Sequence, residues 1–277
     1  MQRYGTYDGA MTTLTSICDD LAEEQRSLDD IVAGLADEDW DRPTPAAGWS
    51  IRDQISHLAF FDAVGAQACG EPEAFMAQLE DIAADAVGYM NRGLDRGRAM
   101  TPPSVLSWWR SARSSALEVM KAVDPEARIA WFGPPMRPVS FVTGRLMETW
   151  AHGQDVVDAL GVERAPTERL RHVAHMGVRA RGFSFQVNGR TPPSDDVLVE
   201  LTAPDGSTWR WGDSTTDVVR GHALDFCLVV TQRRHPADTD LTVEGSIAGA
   251  WIPIAQSFAG PPGEGRKPGQ FPKASRA

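Results

Sequence analysis

The chain has 277 residues, of which 42% are hydrophobic and 23% charged, and its formal net charge is −11. This is the composition of an ordinary globular protein, long enough to bury a core in one large domain or two smaller ones, which excludes a disordered or fibrous chain. Acidity of this size repels phosphate backbones and anionic membrane surfaces, so the expected partner is a small molecule, with no nucleic acid and no membrane.

The opening stretch "MQRYGTYDGAMTTLTSICDD" lacks a basic region followed by an apolar core and a cleavage site, and no run reaches the roughly eighteen apolar residues of a membrane span. The expected location is cytoplasmic. Cys18, Cys69 and Cys227 are far apart and form no Cys-x-x-Cys pair, so they read as small buried hydrophobes.

In chain order, residues 10–36 place Leu14, Ile17, Leu21, Leu28, Ile31 and Leu35 at helical spacing, which predicts a first long helix. In "GWSIRDQISHLAFFDAVGAQAC", Ser50 stands as N-cap with Asp53 as its capping-box partner, and the second helix that follows carries His57. Further periodic segments cover about 73–95 and 103–122, the latter with prolines at its entry. A proline-rich connection, "FGPPMRPVSF", leads to a helix containing "RLMETWAHGQDVVDALG", which Gly161 closes as C-cap. Helices without an alternating strand pattern predict a bundle.

Residues 165–182 add one more helical stretch, after which "DDVLVELTAPDGSTWRWG" alternates around Pro-Asp-Gly and predicts a hairpin. "TTDVVRGHALDFCLVVTQRR" reads as an amphipathic helix, and "TDLTVEGSIAGAWIPIAQSF" as a last strand and short helix. The expected organisation is a helical bundle over 1–163, a small α+β domain over 164–258 that includes the connecting helix, and a flexible Gly/Pro/Lys-rich tail over 259–277.

Glu148 and His152 stand one turn apart on one helix face. Such a pair is either part of a solvated charged stripe or two ligands of a divalent metal of the zinc or nickel type, which accepts imidazole nitrogen and carboxylate oxygen. The helix is apolar around much of its circumference, and a buried unpaired Glu148 costs several kcal/mol, which a cation offsets. His57, flanked by Ile51, Ile55 and Leu58, is the leading candidate for a third ligand from a neighbouring helix. Asp155 is placed to accept the other ring N–H of His152, with Asp62 a weaker candidate of the same kind. His172 and His175 share a helix face without a nearby carboxylate, and His222 and His235 have bland surroundings. Trp108, Trp109, Trp131 and Phe132 read as core packing or as aromatic walls of a pocket.

"GWSIRDQISHLAFFD" resembles the first motif of the DinB-like metal-binding four-helix bundles, specifically the mycothiol-dependent maleylpyruvate isomerase type, and "ETWAHGQDVVDALG" resembles the second. The resemblance spans roughly residues 10–255. It implies an α+β protein: an N-terminal DinB-like four-helix bundle followed by a small α+β domain. It also implies a zinc ion on His57, Glu148 and His152, and chemistry in which the metal activates a low-molecular-weight thiol such as mycothiol, as isomerase or S-transferase. In the isomerase version a thiolate adds to a conjugated cis double bond, the resulting single bond rotates, and elimination returns the trans isomer. The family isomerase has an arginine in its C-terminal domain; Arg233 lies close to the corresponding place, with Arg234 adjacent, and either suits a substrate carboxylate. The alternatives are a thiol-independent metal-dependent hydrolase, lyase or cyclase, or a metal-stabilised small-molecule-binding protein. A homodimer through the bundle is left open.

Overall fold

The computed structural model describes residues 12–271. Two compact units emerge, Thr12–Arg164 and the described residues from Ala165 onward. The protein is α+β: a helical N-terminal unit, and a C-terminal unit built on a four-stranded sheet. No helix among the described residues is long and apolar enough to cross a membrane.

Four long helices form the N-terminal bundle: α1 (Leu14–Val32), α2 (Ile51–Gly70), α6 (Pro102–Ala122) and α7 (Pro138–Leu160). Their ends follow the chemistry of their boundary residues. Thr13 and Ser16 make a capping box at α1, and Ser50 and Asp53 make one at α2. Pro102 and Pro138 occupy the first helical positions of α6 and α7, where no N–H is needed. Gly161 ends α7 at φ +67°, a left-handed conformation that suits glycine. The core packs Leu28 and Val32 of α1 against Ile51, Ile55 and Leu58 of α2, with Val105 and Trp109 of α6 and Val156 of α7.

The periodic segment expected over 73–95 is three helices, α3 (Pro72–Met76), α4 (Leu79–Ala84) and α5 (Ala86–Arg98). Asp85 leaves helical geometry at φ −142° and accepts the Gly88 N–H at 2.9 Å, so it starts α5 as an N-cap and interrupts a pattern that reads as continuous. Gly93 and Gly97 then bring α5 close to α2, against Phe60 and Ser56.

In the C-terminal unit, α8 (Leu170–Arg179) and α9 (Arg181–Val187) precede the sheet. Strands β1 (Leu198–Thr202) and β2 (Thr208–Trp211) form the expected antiparallel hairpin, with Val199 opposite Trp211. The next segment departs from expectation. It is a strand, β3 (Val218–His222), parallel to β1, running directly into α10 (Ala223–Val230). Because α10 buries almost every residue it contains, it is apolar all round, and its boundary with the strand carries no change of period. β4 (Thr242–Glu244) pairs antiparallel with β3, and α11 (Ser246–Trp251) follows; the sheet order is β2-β1-β3-β4.

Beyond residue 258 the described chain has no helix or strand. Gln256 donates from Nε2 to the Phe258 and Gly260 carbonyls, and the Gly269 N–H meets the Asp238 carboxylate at 2.8 Å. Residues 272–277 of the expected tail lie outside the described residues.

Candidate metal centre

The site is assembled by the start of α2 and the middle of α7. A short loop precedes α2. The Thr44 N–H donates to the Trp49 carbonyl at 2.8 Å, and Gly48 turns the chain at φ +77°. Asp53 serves twice, accepting from the Ser50 N–H at 2.9 Å and from Arg98 Nε of α5 at 2.8 Å. The first turn of α2 is therefore held from two sides, and Gln54 and His57 face the bundle interior from it.

On α7, Arg145, Glu148 and His152 fall on one stripe, at spacings of three and four. Glu148 Oε2 lies 3.2 Å from His152 Nε2 and 3.8 Å from His57 Nε2, and one ligand atom from each of the three residues lies within 4.8 Å of the other two. Two donors at tetrahedral angles around one ion, each about 2.0–2.2 Å from it, are themselves about 3.4 Å apart. The triad fits a divalent cation.

The electrostatics suit the same reading. Burial pushes the His57 imidazole down to about 4, helped by the charge of His152, so the ring is neutral and can donate a lone pair at neutral pH. Burial opposes ionisation of Glu148, but the two imidazoles facing it outweigh that and hold this carboxyl well below the usual carboxylate range. A neutral imidazole beside an anionic carboxylate is a donor set that attracts a cation.

The partner of His152 on its far side is Gln54. His152 Nδ1 is 2.6 Å from Gln54 Oε1, so the supporting position expected of Asp155 is taken by an amide. Asp155 is fully buried on the following turn of α7. Asp62, the weaker candidate, instead receives Arg145 Nη2 at 2.9 Å, and the Trp109 indole and Gln25 amide at 3.3 Å each. Burial pushes its carboxyl up against the pull of Arg145.

The adjacent tryptophans separate: Trp109 is fully buried in the core, whereas Trp108 is only partly buried and carries the Arg96 guanidinium 4.2 Å from its ring centroid. The aromatic walls of the site are others. Trp49 stacks on His152 with centroids 5.8 Å apart and 12° between planes, and Phe61 lies 4.6 Å from His57. Trp131 and Phe132 pack behind Phe61, at 6.3 and 5.9 Å. Gln54 has a legible trace in the sequence, being an amide on the apolar stripe one turn before His57; Phe61, one turn after His57, has the same spacing signal.

Arg233, Arg234 and the remaining histidines belong to the C-terminal unit. Arg233 follows α10, where its backbone N–H donates to Leu228 and its Nη1 to the Thr231 carbonyl at 2.7 Å. Arg234 lies over Phe271 at 4.2 Å. His172 is buried on α8, and burial, with the Arg179 charge, pushes His175 down to about 4. His235 caps a short turn by accepting the Ala237 N–H.

Residues 21–157 match the family model described as the mycothiol maleylpyruvate isomerase N-terminal domain. Two uncharacterised proteins of Mycobacterium tuberculosis, from strains CDC 1551 and H37Rv, are each 46% identical over 248 residues, covering 89% of this chain and 96% of theirs. Two crystal structures of the mycothiol-dependent maleylpyruvate isomerase, one of them of a mutant, share the fold. Their TM-scores are 0.58 and 0.59 at 12% identity, over 84% of this chain and 93% of theirs.

Proposed function

We infer the function from one premise: this chain belongs to the mycothiol maleylpyruvate isomerase family. On that premise we propose a divalent-metal-dependent enzyme acting on a small unsaturated or electrophilic substrate, as isomerase or S-transferase, with mycothiol or another low-molecular-weight thiol as co-reactant. Zinc is the proposed metal. The observation that carries the reading is the convergence of His57, Glu148 and His152 within 4.8 Å.

When bound there, the ion supplies positive charge that favours the thiolate over the thiol, and the thiolate is the nucleophilic form. The chain's own residues do the rest. Glu148 brings the one negative charge of the triad, and His57 and His152 bring nitrogen lone pairs. Trp49 and Phe61 flank the two rings and exclude water from the side they cover, while offering apolar surface to a hydrocarbon skeleton. Arg233 is carried in this reading as the proposed carboxylate-binding residue.

The test is metal content by plasma emission on protein purified without added metal, for the native chain, His57→Ala and Glu148→Ala, followed by assay of electrophilic cis-alkenes with and without mycothiol. About one ion per chain, lost in both variants, with turnover that requires the thiol, supports the reading. A native protein that holds no metal after zinc reconstitution overturns it. Turnover without thiol selects a metal-dependent hydrolase, lyase or cyclase instead.

A further inference from the structure

We propose that Gln54 is a positioning residue: a hydrogen-bond chain from the Trp49 carbonyl through Thr44 and Gln54 fixes the His152 proton on Nδ1 and reserves Nε2 for the metal. For that last consequence the inference rests on the metal reading; the tautomer itself does not.

The chain runs in one direction because one end admits no choice. The Trp49 backbone carbonyl can only accept, so the Thr44 hydroxyl, 2.9 Å away, donates to it. With its proton spent, Thr44 Oγ1 accepts from Gln54 Nε2, also at 2.9 Å. That sets which end of the amide is nitrogen, an orientation that either flip would otherwise allow. Gln54 Oε1 then faces His152 Nδ1 at 2.6 Å, and since an amide oxygen only accepts, Nδ1 carries the proton. The remaining nitrogen, Nε2, faces the Glu148 carboxylate, also an acceptor, at 3.2 Å; with one proton to share, the 2.6 Å contact to the fixed amide holds it on Nδ1 and leaves Nε2 to the triad.

Each link is shielded or short. Gln54 is fully buried, and Trp49, the anchor, also stacks on the ring it helps to orient. His57 has no equivalent: its Nδ1 is buried with no hydrogen-bond partner among the described residues. The two imidazoles of the site are therefore held differently, His152 by a directed chain and His57 by packing alone. A ligand histidine whose far nitrogen donates to a fixed acceptor has its ring orientation and basicity set by that acceptor, and loss of such a partner weakens metal binding about 10- to 100-fold.

The experiment uses the full chain, labelled with 15N on histidine, as metal-free native protein, Gln54→Leu, Gln54→Glu and Thr44→Val. Ring-nitrogen shifts above the histidine titration range read the tautomer, and a competition titration with zinc reads affinity. The native His152 is expected as the Nδ1–H form. Gln54→Leu moves it toward Nε2–H and weakens zinc about 10- to 100-fold, whereas Gln54→Glu, which keeps an acceptor, retains the native tautomer. If Gln54→Leu does not fold, Thr44→Val carries the test, because an unanchored amide gives a mixture of the two forms. A native His152 in the Nε2–H form, or a native tautomer in whichever of Gln54→Leu and Thr44→Val folds, overturns the proposal. Failure of the native protein to bind zinc, with the tautomer pattern as expected, sinks the metal reading and leaves the positioning role standing.

Discussion

His57 Nε2 lies 3.8 Å from Glu148 Oε2, bringing α2 and α7 together at a point where a neutral ring meets an ionised carboxylate. A cation held between them bridges two helices of the bundle, so metal binding adds to folding stability. At zinc a hundredfold above its dissociation constant the gain is about 2.7 kcal/mol, or about 5–10 °C in melting temperature for a domain of this size. Calorimetry with zinc and with chelator should show that difference in the native chain and none in Glu148→Ala. Equal melting temperatures in the native protein would remove the cation from the bridge.

A second relationship is pH-dependent. Asp29 of α1 receives Arg110 Nε at 2.8 Å and Nη2 at 2.5 Å, and Arg113 also pairs with it. The Arg110 hydrogen bonds, with the charges of both guanidiniums, outweigh burial and hold its carboxyl below the usual range. A carboxyl lowered in the folded state adds stability above its unfolded value, near 3.9, and loses it as pH falls through the folded value. Asp29→Asn should therefore cost about 1–3 kcal/mol at pH 7, a range that allows for the half-exposed Arg110. The cost should shrink toward zero below about pH 4. A deficit in urea unfolding that stays constant from pH 7 to pH 3 would contradict this origin.

What the sequence discloses here depends on whether one residue's signal survives its neighbours. The ligand triad is legible because Glu148 and His152 are polar residues on an otherwise apolar helix, and His57 sits on the apolar stripe of another. α2 is legible from Ser50 and Asp53, whose cap chemistry is local. β3 is not, since Val218 and Val219 run into a helix buried on nearly every side, leaving no period to break. The split between α4 and α5 is hidden as well: Asp85 is an ordinary charged residue until its backbone leaves helical geometry. Gln54 illustrates the hardest class, a role set by Thr44 and Trp49, which only the folded loop brings to it.

The buried pair beneath the site gives a third test. Arg145 and Asp62 are both almost fully enclosed, and burial works against the Asp62 charge. Removing one partner leaves an uncompensated charge, which costs about 3–5 kcal/mol, whereas replacing both with apolar residues of similar size is far cheaper. Arg145→Met alone is expected in that range, and Arg145→Met with Asp62→Leu should recover more than half of it. Additive losses in a urea double-mutant cycle would mean that the two side chains are not coupled.

The last expectation sets two helical glycines against each other. At Gly144, in α7, an added Cβ meets nothing within 4 Å, so Gly144→Ala gains only the helix preference of alanine and should stabilise by about 0.5–1 kcal/mol. At Gly93, in α5, the same Cβ falls 2.7 Å from Cβ of Phe60 and 2.8 Å from its Cγ, atoms close to the α2 backbone that cannot swing aside. Overpacking of this kind costs about 1–3 kcal/mol, which exceeds the preference gained, so Gly93→Ala should be destabilising by thermal melt. The sign matters more than the size. Because α5 also supplies Arg98 to Asp53 at the start of α2, pushing the two helices apart should weaken zinc binding as well as lower the melting temperature, while Gly144→Ala leaves affinity unchanged. Stabilisation by both alanines would mean that α5 is not packed against α2 at Gly93 in solution.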